Sequence, residues 1–269
     1  MSPVPETDQA ERLSVGKIYR RSIKADDFHF NRYVARPQAA LLVYGLHSTR
    51  ITPNQVTLVS FAVALVAFVT LVFCPGRIGL VAAAAVLHIA FVLDCVDGQL
   101  ARIKNLSSPV GAYLDFLMDE IKAVLLLGSC AVRLAWTAQT PSFGPTWNAQ
   151  IVWLTVGLVG CCIASSGIST TTFLRRPEYF EAVHGQKGER VAGYTKLVVL
   201  GTPKRALPSV LLWPVRLFEG LGRILLHYPA WFFIPACLGK LEWFLWPYLA
   251  AHTLYLGRAW LGLVWKLGR

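Results

Sequence analysis

The sequence predicts an all-α integral membrane protein with six transmembrane helices, preceded by interfacial helices on the cytoplasmic face. Three observations predict it. Of the 269 residues, 55% are hydrophobic and 15% charged, where a soluble domain carries about a quarter charged residues. The mean hydropathy of +0.49 is concentrated in long apolar runs, and about 20 such residues cross the hydrocarbon core of a bilayer. The 26 Lys and Arg also divide unevenly once those runs are placed. Arg77, Arg133 and Lys240 fall on one side, Lys122 and Arg258 fall within helices, and the other 21 share the opposite side. This positive-inside pattern puts both chain ends in the cytoplasm, in a cell's inner or plasma membrane. The net charge of +11 therefore belongs to membrane topology and lipid headgroups, and nucleic acid is excluded as a partner.

Residues 1–50 read as a cytoplasmic tail with interfacial helices, and 51–269 as the six-helix membrane domain. The polar start, residues 1–12, reads as disordered and lacks the apolar core of a cleavable signal, so the first membrane segment is expected to stay. Residues 15–50 mix basic and aromatic side chains (Lys17, Tyr19, Arg20, Arg21, Phe28, Phe30, Arg32, Tyr33), which suits helices lying on a leaflet. Thr52-Pro53-Asn54 introduces the first span, about Gln55–Phe73. The turn Cys74-Pro75-Gly76 leads to a second, about Ile78–Arg102, and a third runs about Gly111–Trp136. A fourth, about Ile151–Leu174, is followed by a basic cytoplasmic loop over 175–205. Residues 206–219 read as an interfacial helix, Leu221–Leu238 as the fifth span and Leu241–Trp265 as the sixth. The six cysteines show no CxxC pair and no zinc spacing, and read as small packing residues.

The second and third spans hold carboxylates, which a membrane helix normally avoids. Asp94 and Asp97 are three residues apart, Asp115 and Asp119 four, so each pair shares a helical face. The short link around Ser107-Ser108-Pro109 predicts an antiparallel hairpin. The four carboxylates then lie at matching depths, within about 6 Å of helix axis. So many carboxylates close together need a counter-charge. Mg²⁺ or Mn²⁺ suits oxygen ligands, and two ions about 3.5–4 Å apart suit displacement at phosphorus. A proton relay or a cation-transport site is the other reading these residues allow. Gly98 and Gly111 let a phosphate or a helix approach closely. Arg102, one turn from Asp97, suits bidentate pairing with a phosphate. Lys122, one turn beyond Asp119, reads as compensating carboxylate charge. Arg258 needs a partner within its span.

The stretch Asp94–Asp119 matches D-x2-D-G-x2-A-R-x8-G-x3-D-x3-D at all eight fixed positions. It thereby resembles the CDP-alcohol phosphotransferase family, as do the six spans and Thr52–Thr57. The resemblance implies metal ligation by Asp94, Asp97, Asp115 and Asp119, with Asp119 also the general base. It implies that Gly98, Ala101, Arg102 and Gly111 line the pocket for CDP, with Asn54 and Thr57 bordering the nucleotide. The implied reaction is attack by an acceptor alcohol on the β-phosphorus of a CDP-linked donor, with release of CMP. A homodimer in membrane lipid is expected. The lead expectation for substrates is CDP-diacylglycerol with a polyol or polyol-phosphate acceptor, in phospholipid synthesis. The alternative is phosphodiester synthesis from a soluble CDP-alcohol such as CDP-inositol. The leader Asp27–Arg32 with Arg36-Pro37 is most similar to the inositol-phosphodiester branch.

The charge asymmetry makes a topological prediction. In a background without native cysteines, Ser142→Cys is expected to react with a membrane-impermeant thiol reagent from the outside of intact cells. Labelling only after the cytoplasmic face is opened would reverse the orientation.

Overall fold

A computed structural model describes residues 14–23, 27–137, 148–174, 176 and 220–267. Among them every regular element is helical. The elements are α1 (Val15–Ser22), a π-helical turn (Asn31–Ala35) running into α2 (Arg36–Leu46), α3 (Pro53–Phe73), α4 (Gly76–Ile103), α5 (Pro109–Trp136) and α6 (Ala149–Leu174). A helical segment over 220–226, a 3₁₀ turn (Tyr228–Ala230), α7 (Phe233–Leu238) and α8 (Glu242–Leu267) follow.

Local chemistry sets the helix ends. Thr52 and Gln55 form a reciprocal capping box at the start of α3, with Pro53 in its first turn; this satisfies backbone donors that have no partner within the helix. Gly76 opens α4 at φ +70°, and Gly239 ends α7 at the same φ, a left-handed conformation that glycine adopts without strain. Ser108 caps α5 by accepting from the Gly111 N–H at 3.0 Å.

Among the described residues, α3, α4 and α6 are long and apolar enough to cross a membrane. Their outward faces carry exposed Leu58, Val66, Val69, Leu158 and Val159, as a lipid-facing surface would. The 28-residue helices α5 and α4 reach about 42 Å, longer than a hydrocarbon core of about 30 Å. The expected fifth span, Leu221–Leu238, is not one continuous helix: the chain breaks at His227 and turns through Tyr228–Ala230 before α7. Pro229 and Pro235 lack the N–H that a helix interior requires. The tail 1–12, residues 206–219 and, apart from Arg176, the loop 175–205 lie outside the described residues.

Two cores hold the molecule. The larger joins Phe68, Leu71 and Leu87 to Leu126, Leu134, Trp153 and Phe244. It is built where α3 packs on α4 and α5, α5 on α6, and α6 on α8. A Cβ at Gly157 would collide with Ala131, so glycine sets the close approach of α6 to α5. The smaller core gathers Ile18, Ala35, Ala39 and Val43 around Val56, Val92, Val96 and Leu100. Thus α1 and α2 pack on the C-terminal half of α4, the half that carries Asp94 and Asp97. The Arg36–Asp27 ion pair, 3.2 Å and nearly buried, fixes this collar, and Tyr19 ties it further by donating to the Arg32 carbonyl at 2.9 Å.

Candidate functional site

The carboxylates do not sit on a closely packed hairpin. Helices α4 and α5 are each packed against α3 and make few close backbone approaches to each other. Their acidic faces look across a gap backed by α3. One carboxylate oxygen each from Asp94, Asp97 and Asp115 lies within 4.8 Å of the others. Metal–oxygen bonds of about 2.1 Å place ligand oxygens about 3–4 Å apart, so small side-chain movements bring all three onto one divalent cation. The three residues fit such an ion by number, chemistry and spacing.

Asp97 is held from one side of the group, and Asp94 and Asp119 from the other. Asp97 is 5% exposed and accepts a 2.5 Å hydrogen bond from the buried Thr57 hydroxyl of α3. Thr57 is also 3.2 Å from the Pro53 carbonyl, but it has one proton to give, and the shorter, charge-assisted bond goes to the carboxylate. Lys122 holds the other side. Its buried ammonium donates to Asp94 Oδ1 at 2.6 Å and lies 2.7 Å from Asp119 Oδ1. Asp119 is thereby linked to the group while its side chain stays 47% exposed. The expected compensation of carboxylate charge by Lys122 is visible in these two contacts.

The surrounding residues divide by what they touch. A Cβ on Gly98 would lie 3.6 Å from Arg102 Nη1, so the Arg102 guanidinium folds back over Gly98, beside Asp97. Arg102 Nε and Nη2 are buried and make no hydrogen bond among the described residues, a costly state for charged donors that have no ligand. Ala101 is half-buried on the same turn. A Cβ on Gly111 would lie 3.0 Å from Asn54 Oδ1, so this glycine lets Asn54 approach the start of α5. Arg258 is exposed on α8. Thr57, expected beside a nucleotide, contacts Asp97 directly.

Sequence reasoning found Lys122 but missed two long-range contacts. Thr57 meets Asp97 across 40 residues, and the buried Gln99 side chain donates to the Arg36 carbonyl across 63. No local spacing marks either pair.

The family profile for CDP-alcohol phosphatidyltransferase matches residues 50–220. The chain belongs to that family. Three relatives carry the name bifunctional IPC transferase and DIPP synthase. The protein of Rubrobacter xylanophilus is 31% identical over 141 residues, 51% of this chain and 31% of the relative. That of Thermococcus kodakarensis is 33% identical over 93 residues, 34% and 19% of the two chains. That of Aquifex aeolicus is 27% identical over 116 residues, 43% and 24%. The chain thus spans less than a third of the length of each relative.

The double contact of Lys122 carries a prediction. In excess EDTA, Lys122→Met is expected to cost on the order of 3 kcal/mol, because it leaves carboxylates without their cation. The thermal midpoint in detergent should fall by about 5 °C or more. An unchanged midpoint would show that the ammonium is dispensable to the cluster.

Proposed function

We propose that this phosphotransferase moves a phospho-alcohol group from a CDP-linked polyol of the CDP-inositol kind to the hydroxyl of an acceptor alcohol, releasing CMP. The observation that carries group transfer is the pairing of three carboxylates within 4.8 Å of one another with the unsatisfied donors of Arg102. Family membership favours this chemistry over cation transport. The names of the relatives and the leader Asp27–Arg32 with Arg36-Pro37 support the polyol donor.

In this reading Asp94, Asp97 and Asp115 would hold divalent metal, Mg²⁺ or Mn²⁺. When bound, the metal supplies neutralisation of the diphosphate and of the charge that develops on the leaving CMP oxygen. Arg102 binds a donor phosphate through Nε and Nη2. Thr57 keeps Asp97 in place. Asp119, half-exposed and within reach of an incoming alcohol, accepts the hydroxyl proton. The alcohol oxygen then bonds to the β-phosphorus as the bond from that phosphorus to the bridging oxygen breaks. CMP leaves with that oxygen. Gly98 and Gly111 keep the approach to these groups open, with Ala101 and Asn54 at the nucleotide and Arg258 towards the acceptor. We place the carboxylate end of the bundle on the cytoplasmic side.

The second reading is phosphatidyl transfer from CDP-diacylglycerol. It is favoured by the length of α4, whose acidic half extends towards the membrane surface, where a nucleotide from water and a lipid can meet.

One assay separates the two. Purified protein receives each CDP-alcohol separately with a labelled polyol acceptor, and products are partitioned between chloroform and water. The polyol-donor reading expects turnover on the soluble CDP-alcohol and label in water. Label in chloroform, formed from CDP-diacylglycerol alone, would overturn that donor and leave the reaction class standing. Asp119→Asn is expected to lower CMP release about a hundredfold or more while CDP still raises the thermal midpoint. Release at the wild-type rate would remove Asp119 from the role of base.

A further inference from the structure

The end of the bundle remote from the carboxylates holds a second polar site. A cavity of about 170 Å³ lies between Gly76, Arg77 and Leu80 at the start of α4, Arg133, Leu134 and Thr137 at the end of α5, and Gly239 and Leu241 before α8. Gly76 and Asp94 are 18 residues apart on one helix, or about 27 Å. The cavity is therefore separate from the carboxylate site and belongs to the opposite leaflet.

Its charge is unexpected for this end of the molecule. The charge pattern of the sequence assigns three basic residues to this side of the membrane, Arg77, Arg133 and Lys240. Arg77 and Arg133 both line the cavity, and Lys240 lies between two residues that line it. They come from three separate parts of the chain, so the fold alone gathers them. Arg133 is 5% exposed and donates to the Cys74 carbonyl at 2.5 Å and the Gly76 carbonyl at 2.9 Å. These bonds fix its guanidinium and use two of its five donors. The Arg77 stem passes 4.0 Å from the position a Cβ would take on Gly239, a residue held at φ +70°. Among the described residues, Glu242 is the acid paired at this end, 4.0 Å from Lys240, and no ion pair takes up Arg77 or Arg133. Around the charges the surroundings are apolar. Leu80, Leu134 and Leu241 line the cavity. Ile78 is exposed close by, as are Phe73 and Trp136, whose rings are 6.2 Å apart. Aromatic side chains of this kind settle at headgroup level.

We infer that this cavity binds the phosphodiester headgroup of an anionic phospholipid in the leaflet opposite the carboxylate site. Guanidinium forks match phosphate oxygens, and the apolar rim continues the site along the acyl chains. A soluble anion would use the same two arginines but gain nothing from the rim.

The test uses full-length protein, delipidated in detergent and titrated with phosphatidylglycerol, the retained lipids being counted by native mass spectrometry. Arg77→Gln is the informative variant because Arg77 is exposed, whereas Arg133 also holds the turn at Cys74–Gly76. The expected result is that Arg77→Gln retains one phosphatidylglycerol fewer per chain, or binds it about tenfold more weakly. Arg77→Lys should regain part of the binding, and phosphatidylcholine, whose choline cation would face the same two arginines, should compete more weakly. CMP release by Arg77→Gln should match wild type. An unchanged lipid count in Arg77→Gln would overturn the inference. Displacement of the lipid by inorganic phosphate at equal concentration would overturn the lipid assignment in favour of a soluble anion.

Discussion

Carboxylates brought within 4.8 Å of one another inside an apolar bundle repel, and each loses the water that would otherwise solvate it. The architecture around them answers that cost. Lys122 supplies a positive charge to Asp94 and Asp119. Thr57 supplies a hydrogen bond to Asp97. Helix α3 stands behind both acidic faces and keeps α4 and α5 from closing on each other. In the proposed function, a cation and a diphosphate would enter the gap that results and add the remaining compensation, and the crowded carboxylates would serve as a preorganised ligand set.

The two cores divide the labour along the helix axes. The larger one, around Leu126, Trp153 and Phe244, fixes how the long helices cross. The smaller one wraps α1 and α2 around the acidic half of α4, and its buried Arg36–Asp27 pair keeps that collar in one register. The N-terminal segment is thus part of what holds Asp94 and Asp97 in position. Chain breaks at Cys74–Gly76 and at Ser107–Pro109 fall at the ends of the long helices, where backbone groups released from helices can meet side chains or solvent.

The sequence made the acidic group legible for a physical reason. Charges in long apolar runs are costly, and their spacing of three and four follows the helical period, so Asp94, Asp97, Asp115 and Asp119 stand out without knowledge of tertiary structure. The entry to the first span was legible at Thr52-Pro53-Asn54, and α3 begins at Pro53, though the reciprocal cap of Thr52 and Gln55 was seen only in the fold. Three features were not. The role of Thr57 depends on a contact across 40 residues. The separation of α4 from α5 depends on α3 standing against both, where the short link between them suggested a close hairpin. The break at His227 depends on prolines whose effect within an apolar run is set by tertiary context. Local pattern reports helices and their costs, while partners distant in sequence are decided by packing.

Asp94, Asp97 and Asp115 are proposed to form a divalent cation site. Manganese binding to the purified protein, followed by electron paramagnetic resonance without any nucleotide, tests it apart from turnover. Saturable binding that Mg²⁺ competes for is expected, weakened tenfold or more by Asp97→Asn, about the loss of one ligand charge-assisted bond. Absence of saturable binding, or equal binding by wild type and Asp97→Asn, would contradict it.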